Sequence, residues 1–245
     1  LMVIFSIIFF YIIGYQGIVF GIALSFLPFS FKLFHTLKNE KISFAIIRKK
    51  KNFILNNYVL DLARTFSGSM DKLIIAPLFG FMLLGNYHLG LQFLGLLALV
   101  PVTVFQYVLP HDATETSNKK LKKLTIVISV FIAIVGFLFA PQVLSLLFPK
   151  FIEAAEIVKI VSIAIIPITI NLMYIPEFLG RLQSKIVLIG SGIFIVTQIL
   201  GIIILGDLFG ANGIAWALVL SSAAESCYLL SMVKFYKSST KNLNQ

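Results

Sequence analysis

Of the 245 residues, 59% are hydrophobic and only 12% are charged, and the mean hydropathy is +0.99. A chain this poor in charge cannot clothe a water-soluble globule, which excludes an ordinary soluble domain and leaves an all-α integral membrane protein. The net charge of +10 is concentrated in a few short segments, and Cys227, the single cysteine, excludes an internal disulfide.

Apolar stretches near the ~20 residues that span ~30 Å of hydrocarbon follow one another along the chain. Turn signals of Gly, Asn, Pro and charge at "GYQG", "LGNY", "FPKF", "GRLQSK" and "GDLFGANG" predict eight helices, over 1–13, 16–34, 53–84, 87–110, 124–147, 155–178, 184–205 and 210–233. The runs lack the alternation of an outer-membrane barrel. The first helix is short for a span, and Leu1 opens inside an apolar run, so its remaining residues are expected upstream, as in a fragment of a longer protein. Sixteen of the 20 Lys and Arg residues fall in alternate loops and the C-terminal tail, from Lys32 through Arg48–Lys51, Lys119–Lys123 and Arg181–Lys185 to Lys241. Positive flanks are retained on the cytoplasmic side, so this bias predicts a cytoplasmic C-terminus in the cell membrane. It accounts for the charge through topology and anionic lipid contact, and nucleic acid is not needed as a partner.

The second and last predicted helices open alike. "GYQGIVFGIALS" from Gly14 matches "GANGIAWALVLS" from Gly210, pairing Gly17 with Gly213 and Ser25 with Ser221 at an offset of 196 residues. Read as one repeat, the offset makes the six helices between 53 and 233 a complete unit parallel to a preceding one.

Three further features accompany the repeat: "SGSMDKLIIAPLFGFMLLGNYHLGLQFL" from Ser67, the basic segment before it, and the proline that closes a helix in "VLPHDATE". Together they resemble prokaryotic polysaccharide-biosynthesis flippases of the multidrug, oligosaccharidyl-lipid and polysaccharide exporter superfamily. In that family an Asp-Lys pair precedes an apolar half-helix and a Gly-x-Tyr turn. The resemblance implies that 1–34 are the last two helices of an N-terminal lobe, 35–52 a basic interlobe loop, 53–233 a six-helix C-terminal lobe and 234–245 a cytoplasmic tail. It implies alternating access between two lobes and a cargo of saccharide on a polyprenyl phosphate or pyrophosphate. Membrane lipids, and the glycosyltransferases and polymerase of the same pathway, are its implied partners. A cation-coupled exporter of drugs or metabolites from the same superfamily, and a membrane enzyme acting on a polyprenyl carrier, remain alternatives.

At 100° per residue Asp61, Arg64, Thr65, Gly68, Asp71 and Lys72 fall within an arc of roughly 120° on one helix. A central charge costs about 2.5–3.5 kcal/mol in a membrane, so the stripe must face protein or a wet cavity. Asp61 with Arg64, and Asp71 with Lys72, either neutralise one another within the bundle or leave Arg64 and Lys72 to meet a carrier phosphate. Glu225, inside the small-residue segment "SSAAESCY", either makes a packing hydrogen bond or couples transport to an ion. Asn171 and Gln92 are polar candidates for the cavity wall, Glu177 is expected to pair with Arg181, and Asp112 to cap or gate a helix end. No Walker loop, metal-spaced His or Cys cluster or nucleophile elbow is present in the sequence, so the reading includes no catalysis, cofactor or metal.

Overall fold

A computed structural model describes residues 2–37, 51–113, 118–147, 151 and 154–242. Most of the basic segment 35–52, Lys150 and the side chain of Arg64 lie outside the described residues. The chain forms two compact units, 1–50 and 51–245, and no strand occurs among the described residues. Helices α1 (Met2–Ile13), α2 (Tyr15–Ser25) and α3 (Leu27–Leu37) belong to the first. The second holds α4 (Lys51–Phe79), α5 (Phe81–Leu97), α6 (Leu99–Ala113), α7 (Lys119–Leu147), α8 (Ala154–Gly180) and α9 (Ser184–Asn242). Among the described residues α7, α8 and α9 are long and apolar enough to cross a membrane, as are α5 and α6 taken together as one bent span.

Helix α9 folds back on itself without a loop. Gly210, at φ 58°, breaks its helical backbone, so residues 184–209 and 211–242 run as two antiparallel arms. Successive contacts trace the hairpin: a Cβ added to Gly213 would lie 1.8 Å from the Leu205 carbonyl oxygen, and one on Gly201 would lie 2.7 Å from the Ala217 methyl. Only hydrogen at position 213 permits this approach, because a methyl cannot share space with a carbonyl.

The same device recurs in the first unit. Gly14, at φ 77°, separates α1 from α2, and a Cβ on Gly17 would lie 1.9 Å from the Phe9 carbonyl oxygen. Phe9, Gly14 and Gly17 stand 196 residues before Leu205, Gly210 and Gly213, so the spacing seen in the sequence is a repeated hairpin. Even the local hydroxyl bonds correspond: Ser25 Oγ donates to the Ile22 carbonyl at 2.6 Å, as Ser221 Oγ reaches that of Leu218 at 3.0 Å.

Some predicted ends move. The helix expected over 53–84 stops at Phe79, and the chain turns at Gly80, φ 86°, rather than at "LGNY". Gly85 has helical neighbours and Tyr87 is buried inside α5, so the family-like Gly-x-Tyr segment is not the turn. The span expected over 87–110 begins at Phe81 and bends by 53° at Ala98, and the one over 16–34 is interrupted at Phe26.

Helix α8 is the centre of the second unit, packed by α5, α6, α7 and α9. Its neighbour α7 is inside out: Thr125, Ser129, Ala133, Ala140 and Leu144 are buried, while Leu124, Val127, Phe131, Leu138 and Phe139 are exposed. Small and hydroxyl-bearing residues at i, i+4 spacing bring helices close, the Thr125 and Ser129 hydroxyls donate to carbonyls of their own helix, and the large apolar residues face outward.

Replacing Gly213 by alanine is expected to lower thermal stability in detergent by about 1–3 kcal/mol, the usual range for overpacking. Gly192→Ala, where a Cβ meets nothing within 4 Å, serves as the control and should not destabilise. Circular dichroism melts of the two variants make the comparison.

Candidate functional site

Three buried polar groupings stand at different depths in the second unit. The first joins four segments. Ser221 Oγ donates to Gln198 Oε1 across the α9 hairpin at 2.6 Å, and Gln198 Nε2 donates to the Tyr87 hydroxyl at 3.4 Å. The Tyr87 hydroxyl also lies beside the Asp71 carboxylate of α4. Asp71 is buried and also accepts from the backbone amide of Lys72 at 2.8 Å, with His88 nearby. The turn at Gly80 makes this possible by bringing Asp71 back beside residues 87 and 88. His88 Nδ1 is itself buried without a hydrogen-bond partner.

The second grouping ties α8 to the second arm of α9. Asn171 Nδ2 donates to Glu225 Oε2 at 2.9 Å and to the Ser222 carbonyl at 3.3 Å. Ser226 Oγ lies 2.7 Å from Asn171 Oδ1, 2.9 Å from the Pro167 carbonyl and 2.9 Å from the Ser222 carbonyl. Ser222 and Ser226 stand one turn apart on one face, and Asn171 lies between Pro167 and Pro176 on the opposing helix. An amide facing a carboxylate and a hydroxyl is the kind of group that exchanges partners with an alcohol, because each donor it gives up finds an acceptor of similar strength.

The third is charged and lies where the ends of α6, α7 and α8 meet. Lys122 Nζ is 2.5 Å from Asp112 Oδ2 and 3.7 Å from Glu177 Oε2, and the Lys122 and Asp112 side chains are only 5% and 1% exposed. Glu177 Oε1 accepts from Arg181 at 3.1 Å. Asp112 Oδ1 is buried and unpartnered.

The structure thus brings Asn171 and Glu225 into direct contact and places Asp71 in the first grouping, with Lys72 half-buried beside it. Asp61 is exposed, its backbone carbonyl accepting from Thr65, and Gln92 is exposed on α5. The expected Glu177–Arg181 pair is present. Sequence reasoning missed Tyr87, taken as part of a turn, and Ser221, Ser222 and Ser226, taken as packing residues around Glu225. Lys122 was grouped with its exposed neighbours. The signal available for it was the stripe that continues inward from 122 through Thr125, Ser129 and Ala133. Among the described residues no three His, Cys, Asp or Glu side chains cluster closely enough to hold a metal.

Lys122→Met is expected to cost about 3–5 kcal/mol by stranding a buried Asp112 charge, and the double change Lys122→Met/Asp112→Leu to recover most of it. Equal melting temperatures for the single and double variants would contradict the pairing. For the second grouping, a double-mutant cycle of Asn171→Ala and Ser226→Ala should return a coupling of ~0.6–1.7 kcal/mol. Compared with protein-family models, with curated proteins and with solved structures, the chain matches none.

Proposed function

We propose that this chain belongs to a membrane transporter that moves a saccharide, joined to a polyprenyl phosphate or pyrophosphate, across the cytoplasmic membrane by alternating access. The observation that carries the reading is a seam of buried polar side chains running through an otherwise apolar bundle. Tyr87, Gln198 and Ser221, then Asn171, Glu225 and Ser226, line up along the α9 hairpin while the outer surface carries large apolar side chains. Polar and ionisable groups within apolar spans are expensive, and they mark pathways for polar cargo or ions. A saccharide presents hydroxyls that suit neutral amide and hydroxyl partners, and its carrier supplies a phosphate for a cation such as Arg64 or Lys72. The repeated hairpin agrees with a two-lobed transporter of parallel units, and the resemblance to polysaccharide flippases supplies the class of cargo.

A cation-coupled exporter is favoured by a different observation, the buried Asp71 carboxylate beside Tyr87 and His88. Proteoliposomes separate the two. Translocation of a fluorescent polyprenyl-linked saccharide without efflux of organic cations supports the flippase, and the reverse pattern supports the exporter. Within the flippase reading, Arg64→Ala should slow translocation at least ~tenfold, equivalent to one lost contact of ~1.4 kcal/mol, at unchanged membrane abundance. Wild-type flux in that variant would remove Arg64 from the pathway.

A further inference from the structure

The two ends of the second unit differ in charge. At one end Leu60, Ile175, Phe178, Ile186, Leu229 and Val233 pack together, so the start of α4, the close of α8 and both outer stretches of α9 are neighbours there. Lys122 adds the start of α7 through Asp112 and Glu177. Six lysines are exposed at this end: Lys51, Lys119, Lys120, Lys123, Lys185 and Lys234. None of them pairs with a carboxylate among the described residues. Among the described residues, the carboxylates Asp112 and Glu177 at this end are turned inward and engaged by Lys122 and Arg181. At the opposite end the exposed Asp207 and the internally paired Glu156 and Lys159 leave no comparable positive charge among the described residues.

We infer that the lysine-rich end of the second unit is a docking surface for the headgroups of anionic phospholipids. Simple retention of positive loops on one side accounts for the number of lysines. It does not require the local acids to be withdrawn from them. Lys122 withdraws Asp112 and part of Glu177 into the bundle, which leaves the outer lysines without a carboxylate partner among the described residues and fixes the start of α7, which carries Lys119, Lys120 and Lys123. A ring of ammonium groups around a helix bundle, at the level of a bilayer surface, meets a layer of phosphates. Each such lysine contributes through the surface potential, and the contribution fades with added salt.

The inference rests on the membrane reading above and not on the identity of the cargo. The test is the selectivity of the reconstituted chain for spin-labelled phosphatidylglycerol over spin-labelled phosphatidylcholine, in phosphatidylcholine bilayers. The expected result is a preference of ~3-fold or more at low ionic strength, falling toward unity at ~1 M salt, where the Debye length is ~3 Å. The quadruple variant Lys119→Gln/Lys120→Gln/Lys123→Gln/Lys185→Gln should lose most of that preference, and Lys159→Gln, at the other end, should retain it. If the quadruple variant does not fold, the salt titration of the unaltered chain decides. Equal association of both lipids, or a preference unmoved by salt, overturns the inference. So does a preference abolished by millimolar inorganic pyrophosphate at constant ionic strength, because a discrete phosphate pocket would then replace the surface. Resistance to alkaline extraction from the same vesicles tests the membrane reading separately, so a chain that inserts without lipid preference sinks only the docking surface.

Discussion

Helix packing in this chain depends on close approach: glycines and small or hydroxyl-bearing side chains let helices meet beside a core that also buries Ile157, Ile165, Met173 and Ile202. On α7 the buried stripe of Thr125, Ser129, Ala133 and Ala140 is less apolar than the exposed face of Phe131, Leu138 and Phe139. Where the surroundings are as apolar as the interior, burying leucine gains nothing, and helices adhere through close contact and internal hydrogen bonds. The glycine hairpins and the serine contacts follow from that constraint. At Gly213 the backbones meet so closely that a methyl would coincide with a carbonyl oxygen, and this proximity brings Ser221 within reach of Gln198.

The polar groupings follow the same constraint at different depths. Charges appear where α6, α7 and α8 end, and one lysine there serves two carboxylates on two helices. Deeper in the bundle most partners are amides and hydroxyls, as between Asn171 and Ser226 or Gln198 and Ser221. Glu225 stands at the side of its cluster with an amide donor on it. Neutral bonds cost less to desolvate than ion pairs and less to break one at a time.

Helix type and the repeated hairpin were legible because each rests on periodicity or on a spacing of several matched residues, whereas of the expected inward charge stripe Asp71 is buried and Asp61 is exposed. The turns were less so. A glycine marks a reversal only where the backbone takes a positive φ, as at Gly80, and the sequence does not distinguish that glycine from Gly85, which lies in a helix. At the α8–α9 turn the residue in the left-handed region is Leu182, φ 59°, although Gly180 stands two residues before it. There the bonds Gln183 N to Phe178 O at 2.8 Å and Leu182 N to Leu179 O at 3.0 Å close a Schellman turn around leucine. These local backbone bonds close the turn with leucine in the left-handed position where glycine is the usual residue. Asn171 and Gln92 illustrate the same limit for the site. Both are amides in apolar runs, and only the packing of α8 against α9 selects the first.

The two hairpins separate what folding requires from what it does not. Both keep the positive-φ glycine, the close-approach glycine one turn later and the serine bonded to its own helix. The polar seam is not kept. Gln198 corresponds to Met2, Ser222 to Phe26 and Glu225 to Phe29 at the repeat offset, and of the α8-facing set only Ser226 has a hydroxyl counterpart, Ser30, which bonds locally to the Phe26 carbonyl at 3.1 Å. A hairpin of the same geometry therefore forms with apolar residues in these places. The amide, carboxylate and hydroxyl on α9 are surplus to making the hairpin, and what they add is a set of buried hydrogen bonds that tie its two arms to α5 and α8.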